Sequence, residues 1–180
     1  MTVHIALLRA VNVGGHGAVK MNDLRLLAAG LGFSDVQTVL QSGNLVFRGA
    51  TGPPGEIASR LESAARSRLG LPTDFIVRTA AEWAAALARN PFRVEARDDP
   101  SHLLVVFLRG NPPAATERRL QERVRGPEKV RLLGAQAYIV YPEGIARSRL
   151  TLPVIEAGLG FRGTGRNWNT VTKLAELASR

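Results

Sequence analysis

The chain contains no cysteine. That excludes disulfides and every thiolate metal site, and it makes a reducing compartment, the cytoplasm, the expected location. Lysine is nearly missing too: of 24 basic residues only Lys20, Lys129 and Lys173 are lysines, and the rest are arginines. Histidines number three, and His4, His16 and His102 lack the HxxxH or HExxH spacing that sets two imidazoles around a zinc ion. His4 and His102 flank apolar runs, where a packed imidazole is the expected state. No metal site and no cofactor is therefore expected. The first residues lack a basic start followed by a long apolar run, and residues 3–8 are only strand-length. Neither a signal peptide nor a membrane span, and hence no membrane partner, is expected. No run of five or six like charges is available to act as a nucleic-acid-binding arm.

What is present belongs to an ordinary globular protein. The 180 residues are 45% hydrophobic and 22% charged, and a chain of this length buries about 70% of its unfolded surface. The formal net charge is +9, a field that favours phosphates, nucleic acid or acidic partners. Arginine alongside abundant alanine and glycine is equally what a compositionally biased genome produces.

Hydrophobic spacing orders the elements. Residues 3–8 form a buried strand ending at Arg9, followed by a long glycine-bearing loop at residues 10–20. Leu24, Leu27, Ala28 and Leu31 recur at helical spacing, with Gly32 as the stop. Residues 36–40 and 45–47 read as strands around Ser42 and Gly43. A second helix carries Ile57, Leu61, Ala65 and Leu69 and stops at Gly70. Residues 74–78 supply a fourth strand. The order β-α-β-β-α-β is that of a ferredoxin-like antiparallel sandwich, expected over residues 1–79. Thr79 and Glu82 form a capping box opening a connecting helix that Asn90-Pro91 ends, and residues 80–100 make the connection, with 97–100 as the linker. A second α+β subdomain is expected over 101–180: a strand at 102–108, a helix from Pro112-Pro113, and strands at 129–133 and 136–141. The last two flank Gly134-Ala135, which suits a type II′ hairpin. C-terminal helices complete it, one capped by Thr151, the last carrying Trp168, Val171, Leu174, Ala175 and Ala178 on one arc and Asn169, Thr170 and Lys173 on the other. Both halves thus begin strand–helix–hairpin, and residues 4–12 and 102–111 share an apolar strand, arginine and then asparagine. The fold class expected is α+β.

Several of these segments carry a resemblance. Ile5-Ala6-Leu7-Leu8-Arg9 with Val11-Asn12-Val13-Gly14-Gly15, Gln41-Ser42-Gly43-Asn44-Leu45-Val46-Phe47, Ser148-Arg149-Leu150-Thr151, and Arg166-Asn167-Trp168-Asn169-Thr170-Val171-Thr172-Lys173-Leu174 resemble the bacterial domain of unknown function 1697 family. The resemblance implies an α+β fold with a ferredoxin-like N-terminal part, and no established activity. Ala10 stands where the family usually has glycine, and Arg149 where it often has lysine, so a lysine nucleophile there is excluded.

Three polar segments are candidate sites. Arg9, Asn12, Gly14, Gly15 and Lys20 border a loop whose backbone N–H groups could cradle an anion, although the pattern is neither a Walker loop nor a dinucleotide fingerprint and its glycines could simply permit positive φ. Gln41, Ser42, Gly43 and Asn44 offer amides and a hydroxyl at a hairpin, or simply stabilise a turn. Arg166, Asn167, Asn169, Thr170 and Lys173 stand at the last helix start, where a guanidinium fork suits phosphate or carboxylate. The alternative there is that Asn167 caps the helix and Trp168 packs in the core. Arg147 and Arg149 join this group or are solvated charges.

If the three segments share a surface, the protein binds an anionic ligand, a phosphorylated metabolite or nucleic acid. The central strands offer few aromatics beyond Phe47 and Phe107, which argues against RNA recognition of the stacking type. An enzyme acting on a phosphate- or carboxylate-bearing small molecule through Lys20, Ser42 or Lys173 is the second expectation. A self-associating structural protein, a homodimer through edge strands, is the third.

Overall fold

A computed structural model describes residues 1–9, 19–39 and 43–180. Two compact units divide the chain: Met1–Ala85 together with Leu174–Arg180, and Ala86–Lys173.

The first unit opens with β1 (His4–Leu8), every residue of which is buried, so the apolar run is a central strand. It continues through α1 (Met21–Ala29), β2 (Ser34–Val39), β3 (Asn44–Arg48), α2 (Pro54–Leu69) and β4 (Phe75–Thr79). The sheet order is β2-β3-β1-β4 and all its pairings are antiparallel, which is the ferredoxin-like topology. Alternation along the strands sends Ala6, Leu8, Leu45, Phe47, Phe75 and Val77 into one core with Leu24, Leu27, Ile57, Leu61 and Ala65 of the two helices. α2 ends where its spacing stops, at Gly70 with φ 61, a left-handed conformation that costs glycine nothing.

Thr79 and Glu82 make the expected capping box: Thr79 Oγ1 accepts from the Glu82 N–H at 3.1 Å while Glu82 accepts from the Thr79 N–H at 2.8 Å. It opens α3 (Ala80–Ala88). The expected linker is largely helical, because α4 (Arg93–Asp98) runs into it and a single 3₁₀ turn over Pro100–His102 leads to the next strand. The Asn90 carboxamide accepts the Phe92 N–H at 3.0 Å, closing a turn between α3 and α4.

The second unit runs β5 (Leu103–Leu108), α5 (Thr116–Gln121), β6 (Lys129–Leu133), β7 (Gln136–Val140), α6 (Leu152–Leu159), β8 (Gly163–Asn167), and then α7 (Trp168–Ala178), whose residues from Leu174 onward belong to the first unit. Gly134 has φ 63 at the two-residue β6–β7 turn, and Ala135 is not among the positive-φ residues, as a type II′ turn requires. β8 goes beyond the expected strand–helix–hairpin and helices, and it pairs with β5. The order β6-β7-β5-β8 repeats that of the first sheet. Both units are therefore ferredoxin-like.

The repetition extends to single bonds. Leu8 donates to Gly43 and Leu108 to Ala135; Arg9 donates to Asp74 and Arg109 to Arg162. On α2, Glu62 accepts the N–H of Phe75, the first residue of β4, at 2.9 Å; on α6, Glu156 accepts that of Gly163, the first of β8, also at 2.9 Å. Thr79 caps α3 from the end of β4, and Asn167 caps α7 from the end of β8. Arg78 faces Ile5 across β4–β1, and Arg166 faces Val105 across β8–β5. The likeness noticed between the two apolar strands and their arginines is thus one part of a full structural repeat.

Candidate functional site

Of the residues singled out in the sequence, Asn12, Gly14, Gly15, Gln41 and Ser42 lie outside the described residues, and so does any convergence of those two segments with the last helix. Their described neighbours gather at one end of the first sheet. Arg9, half-buried just beyond β1, has its carbonyl held by Thr73 Oγ1 at 2.6 Å and its N–H by Asp74. Gly43, with φ 73, precedes Asn44, which is fully buried and donates from Nδ2 to the Val39 carbonyl at 2.8 Å across the hairpin. That bond ties β2 to β3 and is the turn-stabilising role of an asparagine. Lys20 is exposed at the start of α1, and its side chain makes no capping bond.

In the second unit Arg166 belongs to a strand and not to a helix start. It is 8% exposed, and Nη1 donates to Thr164 Oγ1 and to the Gly165 carbonyl, each at 2.8 Å. Burial pushes its guanidinium down to about 10. Asn167 is the helix cap: Oδ1 accepts both the N–H and the hydroxyl of Thr170 at 3.0 Å. Thr170 is correspondingly buried and does not lie on the open arc, while Asn169 and Lys173 do. Trp168 is not a core residue. It begins α7 and stays half-buried, and the fully enclosed tryptophan is Trp83 at 1% exposure. Arg147 and Arg149 are both exposed, flanking Ser148, whose hydroxyl donates to Glu128 and accepts the Leu150 N–H.

Cations collect elsewhere, in a grouping that no local spacing announces. A groove of about 600 Å³ in the first unit is lined by Arg25 of α1, Arg48 of β3 and Arg180, with a single acidic side chain, Asp35 of β2. Val3, Ala29, Val36 and Leu177 supply its apolar lining, with Phe33 and Phe47 stacked at 4.7 Å in the core behind them, and Gln37 adds an amide. Asp35 holds φ 50, the lone non-glycine residue with positive φ among those described, and the β2–β3 register shifts between Ser34 and Gln37. Such a bulge bends an edge strand and re-aims its side chains. Arg48 is held loosely by Asp35 at 3.6 Å, and Arg25 by Asn22 at 3.0 Å. The groove therefore gathers three guanidinium groups on one lining, with Arg48 held only by a weak carboxylate contact. Arg25, Arg48 and Arg180 are far apart in sequence, and only the overall basic balance hinted at them.

Among the described residues no group of three or more His, Cys, Asp or Glu could hold a metal ion, and no helix is long and apolar enough to cross a membrane.

A double ferredoxin-like fold with an arginine-lined groove defines the class of protein. Residues 1–138 match the family described as "Protein of unknown function (DUF1697)", and the chain belongs to that family. The motifs from Ser148 onward lie beyond the matched residues. No curated protein matches the sequence. Among solved structures, the conserved bacterial protein SP0830 from Streptococcus pneumoniae is similar, at 20% identity with a TM-score of 0.75 over 98% of each chain. At that identity the likeness concerns the fold.

Proposed function

We propose that the protein binds a small phosphate- or carboxylate-bearing metabolite in the groove between Arg25, Arg48 and Arg180, in the cytoplasm. One observation carries this reading: three arginines against one acidic side chain line a groove of about 600 Å³ with an apolar lining, a size in the range that holds metabolites. Guanidinium forks would bind the anionic group, and Val3, Val36 and Leu177 would border the remainder.

Calorimetric titration of the full chain with inorganic phosphate, a sugar phosphate and a short DNA duplex tests it. The phosphate compounds bind, and Arg25→Ala and Arg48→Ala each weaken binding by about tenfold, as expected for loss of a charge-assisted hydrogen bond. Asp35→Asn tightens it by removing the one competing acidic side chain. No heat with either phosphate compound, or affinities indifferent to these variants, would refute the reading.

A further inference from the structure

We infer that the second unit carries a separate site for a planar aromatic ring bearing an anionic group, with Trp168 as the stacking platform. Trp168 opens onto a depression of about 490 Å³ that also takes in Asn90, Arg93 and Arg97 and contains no acidic residue. The site is built by the turn at Asn90. Its buried carboxamide binds the Phe92 N–H, and the chain then enters α4, where Arg93 and Arg97 are four residues apart and share a helix face. Ala88 and Ala96, also on the lining, add little bulk to it.

The chemistry favours one ligand class. A half-buried indole is a sequence-tolerant surface for stacking a base or similar ring. Arg93 is exposed and has no hydrogen-bond or ion-pair partner among the described residues, so its guanidinium is available to a phosphate or carboxylate on the ring's substituent. Arg97 is already oriented by Asp98, at 2.6 and 2.9 Å, and can share that role. A ring without the anion forgoes the arginines, and a bare anion forgoes the stacking. The ligand therefore needs both parts, as a nucleoside monophosphate has them.

Tryptophan emission provides the test, because Trp83 is sealed in the core and Trp168 is not. Adenosine monophosphate added to the full chain should quench part of the emission saturably, adenosine should quench only at higher concentration, and inorganic phosphate should not quench. Trp168→Phe should abolish the response, with the remaining Trp83 emission reporting an intact fold. Arg93→Ala should raise the half-saturating concentration about tenfold, whereas Arg25→Ala and Arg48→Ala should leave it unchanged. The inference is overturned by absence of quenching at millimolar nucleotide, by quenching that survives Trp168→Phe, by indifference to Arg93→Ala, or by loss of the response in the groove variants.

Discussion

His4 shows what a central strand demands of a titratable side chain. It is 2% exposed, it stacks on Phe47 with ring centroids 5.7 Å apart, and Nδ1 has no hydrogen-bond partner among the described residues. Burial lowers its pKa, and the Glu82 carboxylate offsets this only partly. A lowered folded pKa means that the unfolded chain takes up the proton more readily. Stability is then full above the ordinary histidine value of 6.5 and falls as the pH drops from there toward the folded value. Urea midpoints should accordingly decrease from pH 7.5 to pH 5, and His4→Phe, which keeps the stacking and removes the bare nitrogen, should flatten that decrease and add about 1 kcal/mol at pH 5. The two tyrosines titrate in the opposite sense. Burial raises Tyr138 to about 12, with its hydroxyl donating to the Ala86 carbonyl at 2.6 Å, and burial together with Glu128 raises Tyr141. Tyrosinate absorbance should therefore stay flat through pH 10, where a free tyrosine is half ionised, and should rise only as the fold fails. Their contribution to stability is complete below pH 10 and disappears as the pH climbs through the folded values.

Between elements, the recurrent device is a helix glutamate that accepts a backbone N–H of an edge strand: Glu62 on β4, Glu156 on β8, and Glu117 on β6 through the Leu132 N–H at 2.7 Å. Glu62→Ala and Glu156→Ala should each cost about 1–3 kcal/mol by orphaning a part-buried N–H, measured by denaturant unfolding, with costs of similar size because the geometry is the same. Legibility in the sequence tracks how local the cause is. The Thr79–Glu82 box, the Gly70 stop and the Gly134 turn depend on neighbours within a few positions, and all three are legible. β8 is not, since Gly-Thr-Gly-Arg-Asn has the composition of a turn. Its glycines answer to β5: a Cβ at Gly163 would lie 2.9 Å from the Phe107 carbonyl oxygen, and one at Gly165 the same distance from a Leu104 methyl. Without β8, the position of Arg166 in a sheet could not be anticipated.

At the scale of the whole molecule, the charge of +9 says that anions are welcome but not where. The groove assembles Arg25, Arg48 and Arg180 through tertiary folding, and Asp35 on its lining sits where the β2–β3 register shifts, which no residue pattern flags. Ionic strength separates a metabolite from a polymer as ligand. Log affinity against log salt should fall only shallowly for a small molecule with one phosphate group, which carries no condensed counterions, and steeply if a nucleic acid backbone spans many arginines. The repeat has a further consequence for stoichiometry. Superposing the registers, in which His4 pairs with Phe47 and Leu104 with Ile139, sets Arg48 opposite Val140 as its counterpart in the other half. An aliphatic residue there cannot hold an anion, so inorganic phosphate should saturate the groove at one equivalent per chain, despite a fold built twice.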